Sequence, residues 1–548
     1  ILLQTFSGYG KMKLNLRKIL ISITALIPLY IIYFFILNGD IQFLTAGHES
    51  FSYRFLVSSR IVNGENLVWF PQGHLTSFVH NLIMMLSGWN DISISELNSA
   101  IQGFGLFHHF VIFLILLLSV IILHKKLNYN DIFNTYFLGL SVPIFASGIF
   151  STHYFIQVDY LTLNIILMVI SLALFHYGMN LKEKEINIKH HIFVAIFIGI
   201  VVSNKITMLP IAIFSALPFI FKHESKFNIN YLSKITFLYG IISSISSFIV
   251  IVCFFNFNIS NMVQSAGPMI KFILNPGATE PLYNFLQVII NYKFIYFMVI
   301  NLIISMLALF FLKMGNLKLS SKRILISIFL LSALLWFFIL KRGATMTLFE
   351  STYGLTIFSL GITKILKVND IFKNLFFKYL LEIILILLVL TGLNQFKKSM
   401  QWITEAGKNQ TIAFESYATI NQYTEGKKKY FITYDNNLSA PSIEMFLRKG
   451  LSIIPTWSHK DDTLIQYSHL CENCKFISSY THGPNGEYLL KDLEKDSYVI
   501  TYLPEFNTEK VIEFEKNIIR GLPNTKLLEI SEELYGNQNF KITIKYIE

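Results

Sequence analysis

The sequence predicts a polytopic α-helical membrane protein followed by a water-soluble α/β domain, and three observations support this fold class. Charged residues make up only 14% of the 548 residues and hydrophobic residues 53%, whereas a soluble globular chain carries about 25% charged residues. From Ile19 to Leu393 the chain is a series of apolar runs separated by short polar clusters. From Asn394 to Glu548 its composition is that of a soluble protein. We therefore predict a transmembrane domain over 12–394 and a soluble domain over 395–548.

The net charge of +11 does not indicate a nucleic-acid partner. Most Lys and Arg residues of the N-terminal part lie in short clusters between apolar runs. The positive-inside rule places such clusters in cytoplasmic loops. The basic balance therefore reports membrane topology, and we expect no nucleic acid among the partners of this chain.

The number of spans follows from the length of the apolar runs, because one span needs about 20 apolar residues. Nine runs are candidates: 19–37, 105–124, 133–150, 160–178, 235–255, 294–312, 324–340, 351–366 and 379–393. The first run follows a basic segment and has no clear cleavage site after it, which indicates a signal anchor. Met12 is a candidate for the natural start of the chain.

The remaining apolar segment, 191–221, is too long for one span and is interrupted by Asn204 and Lys205. If it crosses twice, with a short turn near Lys205, every later basic cluster falls on the cytoplasmic side. This two-pass interpretation predicts about eleven spans and an external C-terminal domain.

Two external loops are long under this topology, 38–104 and 256–293. Long loops in a compact protein are commonly functional. In the first loop, apolar residues at 55–62 and 82–86 are typical of amphipathic helices that lie at the membrane interface. We therefore look for chemistry on the external side.

Four residues are candidates for chemistry from their position alone. Asp40, Glu49 and Asp159 lie near the predicted external face, and acids close to the bilayer are costly and often functional. Lys205 lies in an apolar stretch on the same side, where a lone ammonium group favours an anion such as a lipid phosphate. The alternatives are helix ends that face water for the acids and a snorkelling side chain for the lysine.

Four stretches carry a family resemblance: His48-Glu49 with Tyr53, Arg60 and Gly64; Gln157 to Leu163; Gly199 to Thr207; and Arg342 to Leu360. In order and spacing they resemble the first-loop acidic motif, the D-x-L-L start of the fourth span, the G-x-x-x-x-x-K stretch and the late R-Y-x-L-P-L segment of the GT-C superfamily. This superfamily comprises membrane glycosyltransferases, here especially the dolichyl-phosphate-mannose and aminoarabinose transferase type. The resemblance covers about residues 19–366. His48 replaces the first acid of the usual Asp-Glu pair, and the late segment lacks its proline.

The resemblance implies a chemistry. Members of the superfamily use a polyprenyl-phosphate-linked sugar as donor; a carboxylate removes the proton of the acceptor hydroxyl, and a cation stabilises the departing phosphate. It implies Glu49 as the base, with Asp40 left open as the alternative, and Asp159 as a second acid that orients acceptor or base. It implies Lys205 as the lipid-phosphate binder, with Arg342 as a second phosphate contact or a plain membrane-edge arginine.

The first external loop is expected to supply substrate contacts, namely His48, Tyr53, Arg60 and His74. His74 and the nearby His80 would contact sugar or metal, or serve as structural histidines. Some relatives use a divalent metal ion, but no ligand cluster in this sequence requires one.

The resemblance thus implies a glycosyltransferase of a bacterial inner or cell membrane. Its partners would be a polyprenyl-phosphate sugar donor, membrane lipid and an extracytoplasmic acceptor, which is a glycan, a lipid or a protein. The alternative is a multi-span transporter or flippase for a lipid-linked or polysaccharide substrate, since 191–221 reads as a broken helix. The sequence shows no internal repeat of the kind common in transporters.

The soluble domain, 395–548, alternates short apolar strands with helical stretches, which is typical of an α/β layer. We predict strands at 429–434 and 497–502 and a helix at 442–447. Cys471 and Cys474 form a Cys-x-x-Cys pair. The external location favours a local disulfide over a redox pair or half of a zinc site.

Overall fold

A computed structural model describes the helical part of the chain and the strands of its C-terminal part. The described residues are 23–39, 42–43, 58, 61–64, 73–89, 94–146, 160–222, 228–264, 294–313, 317–342, 345–369, 375–424, 426–433, 466–467, 474–478, 494–503, 509, 513, 525–530 and 541–547. The predicted helix 442–447 and Cys471 lie outside these ranges, and Cys474 opens a strand. The disulfide therefore stays a prediction.

The helices are named here in chain order. They are α1 (Ile27–Leu37), α2 (His74–Ser87), α3 (Ile94–Leu123), α4 (Tyr129–Ile132, continued by the π-helical stretches Phe133–Leu138 and Val142–Ala146 on either side of Gly139–Ser141), α5 (Tyr160–Asn180), α6 (Ile188–Asn204), α7 (Leu209–Phe221), α8 (Ile229–Phe254), α9 (Phe294–Lys313), α10 (Leu319–Arg342), α11 (Thr345–Val368) and α12 (Leu375–Tyr423). Short 3-10 turns, Glu183–Glu185 and Ile206–Met208, precede α6 and α7.

Several of these helices are long and apolar enough to cross a membrane. Among the described residues, five stretches meet that requirement: Asn98–Leu123, Leu161–Asn180, Ile229–Phe254, Leu319–Phe337 and Tyr379–Gln401. Shorter apolar helices are Ile27–Leu37, Ile188–Asn204, Ile206–Phe221 and Met298–Phe310. The chain is therefore a helical membrane protein. The predicted run 133–150 departs from a regular α-helix, because two π-helical stretches interrupt it.

Helix α2 has the polarity of a helix next to lipid. Its buried residues are mostly polar and include Thr76 and His80, while Leu82, Met85 and Leu86 are exposed. A helix that buries its polar side chains and exposes its apolar ones is stable beside lipid rather than water. The segment 38–104 thus contains an amphipathic helix, as predicted, and the polar face of this helix is directed into the protein.

The segment after α5 folds as two antiparallel helices, with the turn at Lys205. Helix α6 ends at Asn204, and Lys205 is extended, with φ −157° and ψ 124°. Pro210 lies in the first turn of α7, where a missing backbone N–H costs nothing. At the far end of α7, the Lys222 ammonium donates to the carbonyls of the last turn of α5. Both ends of this hairpin therefore lie near the end of α5.

Lys222 belongs to a group of charged residues that we call the basic end: Lys126, Asp131, Glu185, Lys222, Lys364, Lys367 and Glu382. Lys126 pairs with Glu185 at 2.5 Å. Burial lowers the pKa of Lys222 to about 8, and the nearby charge of Lys364 adds to this shift. The lysines of this end are among those that the sequence places on the cytoplasmic side.

Helices α6 and α8 pack closely through small residues. A side-chain carbon on Gly199 would overlap the carbonyl oxygen of Ser243 and the hydroxyl of Ser246. The Ser246 hydroxyl also donates to the Ile196 carbonyl of α6, at 3.3 Å. Small residues that let two backbones approach are typical of helix contacts in membranes. Gly199, which opens one of the four family-like stretches, therefore has a packing role.

The C-terminal strands form one sheet. They are β1 (Lys428–Thr433), β2 (Gln466–Tyr467), β3 (Cys474–Ser478), β4 (Ser497–Leu503), β5 (Thr525–Ile530) and β6 (Lys541–Ile547), in the order β2-β3-β1-β4-β6-β5. β1 runs parallel to both β3 and β4, and β6 runs antiparallel to β4 and β5. The two strands predicted from the sequence, at 429–434 and 497–502, are confirmed as β1 and β4.

Helix α12 joins the last span to the sheet without a break. It has 49 residues, which corresponds to roughly 74 Å at about 1.5 Å per residue. The predicted domain boundary at residue 394 falls inside it, because the change from apolar to polar composition does not interrupt the helix. Ile500 and Ile544 of the sheet belong to the same buried apolar cluster as Ile403 of α12. The sheet therefore packs onto α12 and is not connected to the helical part by the chain alone.

Candidate functional site

The structure places only part of the site predicted from the sequence. Outside the described residues are Asp40, His48, Glu49, Tyr53, Arg60 and Asp159. Arg342 is the last residue of α10, and its side chain is not described. Lys205 lies at the turn between α6 and α7, and His74 is the first residue of α2 and contacts the end of α6.

Lys205 is buried and paired with a carboxylate. Its side chain is 7% exposed, and its Nζ lies 2.7 Å from Oε2 of Glu350, whose side chain is 3% exposed. Glu350 lies in the second turn of α11. The sequence interpretation treated Lys205 as a lone ammonium group. The structure instead supplies a negative charge from a distant part of the chain.

Two asparagines continue this polar contact across three helices. Asn164, near the start of α5, donates its side-chain amide to Oε1 of Glu350 at 2.5 Å. Its own oxygen accepts from the Asn204 amide at 2.7 Å. Oε1 of Glu350 therefore accepts a hydrogen bond from Asn164, and Oε2 forms the ion pair with Lys205. Such charge-assisted bonds fix the plane of the carboxylate.

Asn204 also serves as a helix cap for a neighbouring helix. Its side-chain oxygen accepts from the backbone N–H of Thr76 at 3.1 Å and from the Thr76 hydroxyl at 3.0 Å. The Thr76 N–H is one of the first-turn donors of α2 that have no partner within the helix. An N-cap side chain normally precedes its own helix; here the cap comes from the end of α6.

The first turn of α2 in return caps the end of α6. The Gly73 N–H donates to the Asn204 carbonyl at 2.8 Å, and the His74 Nδ1 lies 3.0 Å from the Ser203 carbonyl. A carbonyl only accepts, so Nδ1 carries the proton in this contact. These bonds satisfy carbonyls that the helix end leaves open. We call the six residues joined here the Lys205 cluster: His74, Thr76, Asn164, Asn204, Lys205 and Glu350.

The cluster brings together parts of the chain that the family resemblance singled out separately. Lys205 and Asn204 belong to the third stretch, and Glu350 belongs to the fourth. Asn164 directly follows the second stretch, whose acid, Asp159, immediately precedes the first residue of α5. His74 opens α2, in the segment that the sequence interpretation treats as the first long loop. Two of the four stretches therefore meet within hydrogen-bonding distance at one end of the helical part, and the residue that directly follows a third stretch joins them.

Sequence reasoning missed Glu350 and Asn164 as members of the site. The signal for Glu350 was present, since an acid in an apolar stretch beside a predicted span is unusual and often functional. Asn164 gave no comparable signal, because a single asparagine near a helix start is common. Only the folded chain shows that Glu350 pairs with Lys205 and that Asn164 bonds to Glu350.

A pair of histidines lies beside α2. His80 Nε2 is 3.1 Å from His108 Nδ1 of α3, and both side chains are buried. Among the residues that the structure describes, no group of three or more His, Cys, Asp or Glu side chains is arranged to hold a metal ion. The pair is therefore described as a hydrogen-bonded contact between α2 and α3.

The arrangement has clear chemical limits. One buried cation and one buried anion give the charged centre of the Lys205 cluster a net charge near zero. The Glu350 carboxylate already forms an ion pair with Lys205 and accepts a hydrogen bond from Asn164, so the role of base is not assigned to it. The ammonium group is the part of the cluster that can stabilise negative charge on a ligand.

Comparison with known proteins does not place the chain in a family: it matches no protein-family model and no solved structure.

Proposed function

We propose that this protein is a membrane glycosyltransferase that moves a sugar from a polyprenyl-phosphate-linked donor to an extracytoplasmic acceptor. The observation that supports the proposal is the Lys205 cluster. It joins a buried ammonium group at a helix break to residues from, or directly beside, three stretches that resemble one enzyme superfamily. Chance resemblance of isolated stretches gives no reason for them to meet in space.

In this proposal Lys205 binds the phosphate of the donor and stabilises the charge that develops as the lipid phosphate leaves. The bond between the anomeric carbon and the phosphate oxygen breaks while the acceptor hydroxyl attacks that carbon. Glu49, or Asp40 in its place, removes the hydroxyl proton, and Asp159 orients acceptor or base. Arg342 is proposed as a second phosphate contact. The proposed sugar contacts are His48, Tyr53, Arg60 and His74.

The membrane arrangement belongs to the same proposal. We infer about eleven spans of GT-C type, the Lys205 cluster on the extracytoplasmic side and the basic end in the cytoplasm. The C-terminal sheet then lies outside the cell membrane, where it would cover the site or recognise the acceptor. A bacterial cell membrane is the proposed location. No cofactor is assigned, and a divalent metal ion is left to experiment.

The test is transfer or release of sugar from a labelled polyprenyl-phosphate sugar by the purified full-length protein. Wild type should release the sugar, and Lys205→Met should lose at least about a hundredfold of that rate, the size of effect expected from removing one charge-stabilising group. Glu49→Gln should also abolish transfer while folding is unchanged. Full activity of Lys205→Met would remove the observation on which the proposal rests.

A transporter or flippase is the second candidate, and one observation favours it. Lys205 lies at the non-helical turn between two short apolar helices, and non-helical backbone that carries charged groups is a feature of transporter sites. Proteoliposomes loaded with the labelled lipid-linked sugar separate the two functions. Movement of intact lipid-linked sugar between leaflets, without cleavage, would replace the enzyme proposal.

A further inference from the structure

The ammonium group of Lys205 is already neutralised in the folded protein. Its Nζ lies 2.7 Å from the Glu350 carboxylate, and both side chains are shielded from solvent. At that distance and with little water present, the attraction between two unit charges is far stronger than between the same charges on a surface. An anionic ligand that binds Lys205 must therefore compete with Glu350.

Two asparagine side chains hold the Glu350 carboxylate in the position from which it competes with a ligand for Lys205. Asn164 donates to Oε1 at 2.5 Å, which leaves Oε2 directed at Lys205. Asn164 is in turn fixed by Asn204, the residue next to Lys205 in sequence. The group that holds the anion and the group that carries the cation are thus coupled through one hydrogen-bonded chain.

The charge balance determines what this arrangement does to a ligand. A sugar-linked polyprenyl phosphate is a phosphodiester with about one negative charge, whereas the polyprenyl phosphate that leaves is a monoester with up to about two. When the monoester product binds beside the neutral pair of Lys205 and Glu350, it places more negative charge next to Glu350 than the phosphodiester donor does. Like charges brought into contact in a shielded site repel each other strongly.

We propose that Glu350 is a built-in counter-ion that competes with the ligand phosphate for Lys205, and that it thereby weakens retention of the lipid phosphate product. This inference rests on the proposed function for the identity of the ligand. Glu350 acts through Lys205 and is therefore a positioning residue. It pairs with Lys205 when the site is empty and favours departure of the more highly charged product.

The test is the affinity of the full-length protein in lipid nanodiscs for farnesyl phosphate, with inorganic phosphate as the second probe. Four variants are compared with wild type: Glu350→Gln, Glu350→Ala, Glu350→Asp and Lys205→Met. Both neutral variants should bind farnesyl phosphate about tenfold or more tightly, because a competing charge is gone. Glu350→Asp keeps the charge and should stay within about threefold of wild type, although its packing is disturbed as well.

The two probes separate a lipid headgroup site from a site for free phosphate. If farnesyl phosphate gains affinity and inorganic phosphate does not, the ligand is a lipid phosphate. An equal gain in affinity for both probes indicates a site that binds phosphate without contacting the lipid chain. In the transfer assay, product inhibition by farnesyl phosphate should rise in Glu350→Gln, whereas a purely structural role would leave the inhibition constant unchanged.

The result that overturns the proposal is a folded Glu350→Gln protein that binds farnesyl phosphate no more tightly than Glu350→Asp. Should the neutral variants unfold, added farnesyl phosphate should raise their melting temperature more than that of wild type, and absence of this rescue also overturns the proposal. Unchanged binding in Lys205→Met would instead defeat the proposed function. A loss in Lys205→Met without a gain in Glu350→Gln would defeat only the counter-ion role.

Discussion

Helix α11 carries a buried ion pair near each of its ends, and the two pairs differ in what surrounds them. At the basic end, Lys364 donates to both oxygens of Asp131, at 2.8 and 2.9 Å, and Asn180 donates to the same carboxylate at 2.6 Å. In the Lys205 cluster, Glu350 meets a lysine at a break between helices. One pair joins neighbouring helix segments, and the other lies where the backbone has left the helix.

This difference in surroundings distinguishes a structural ion pair from a candidate functional site better than the degree of burial of the two pairs does. The basic end contains further contacts of the first kind: Lys367 pairs with Glu382, and Asn134 donates to Glu382 at 2.7 Å. These bonds connect α4, α11 and α12 one turn after another. In the Lys205 cluster the bonds run from the turn between α6 and α7 to three other helices, α2, α5 and α11.

The largest effect is expected at the basic end. Asp131→Asn removes the negative charge that neutralises Lys364 and leaves a buried ammonium group, which costs about 3–5 kcal/mol when one partner of a buried pair is removed. Thermal unfolding of the purified protein in detergent should show a large fall in melting temperature. Activity per folded molecule should stay near that of wild type.

The matched control is the double variant Asp131→Asn with Lys364→Met, in which no unpaired charge is left. It should be more stable than Asp131→Asn alone, because contacting residues are not additive. If the single variant unfolds like wild type but loses transfer activity, the basic end is a functional site, and the contrast drawn here fails.

The sequence predicted the helices and turns of the molecule better than the contacts between side chains that are distant in sequence. Apolar runs and lysine clusters were sufficient to predict membrane helices and the turn at Lys205, because both signals are local. They were not sufficient to predict the pairing of Lys205 with Glu350, which depends on how α6 and α11 pack. The length of α12 was missed for a related reason: the polar residues after 394 are compatible with a helix, so composition alone did not show that α12 continues to Tyr423.

An intermediate effect is expected from a substitution of Gly199. It tests whether a residue in a family-like stretch is structural, as the residues of the basic end are. Gly199 lies in a stretch that resembles an enzyme superfamily, but the structure gives it a packing role against Ser243 and Ser246. Gly199→Ala should destabilise the protein by about 1–3 kcal/mol, as expected when extra volume enters a packed contact. The measurement is thermal unfolding, with the transfer rate normalised to folded protein.

Gly240 of α8 is the control, since a side-chain carbon there meets nothing within 4 Å. Gly240→Ala should be neutral or slightly stabilising, because alanine is the better helix former. Equal destabilisation by the two substitutions would show that the loss does not come from the contact between α6 and α8.

The smallest effect is expected from the cap that Asn204 provides for α2. Asn204→Ala removes the acceptor of the Thr76 N–H and hydroxyl and should cost about 1–2 kcal/mol, the usual range for loss of a helix cap. Thr76→Val removes only the hydroxyl bond and keeps the backbone bond, so about half of that loss is expected. Hydrogen exchange of the first-turn amides of α2 measures the cap directly: it should accelerate in Asn204→Ala and stay near the wild-type rate in Thr76→Val.

Because Asn204 adjoins Lys205 and holds Asn164, its loss should also reduce transfer per folded molecule, whereas Thr76→Val should not. Identical behaviour of the two variants would mean that Asn204 acts only as a structural residue, as the residues of the basic end do.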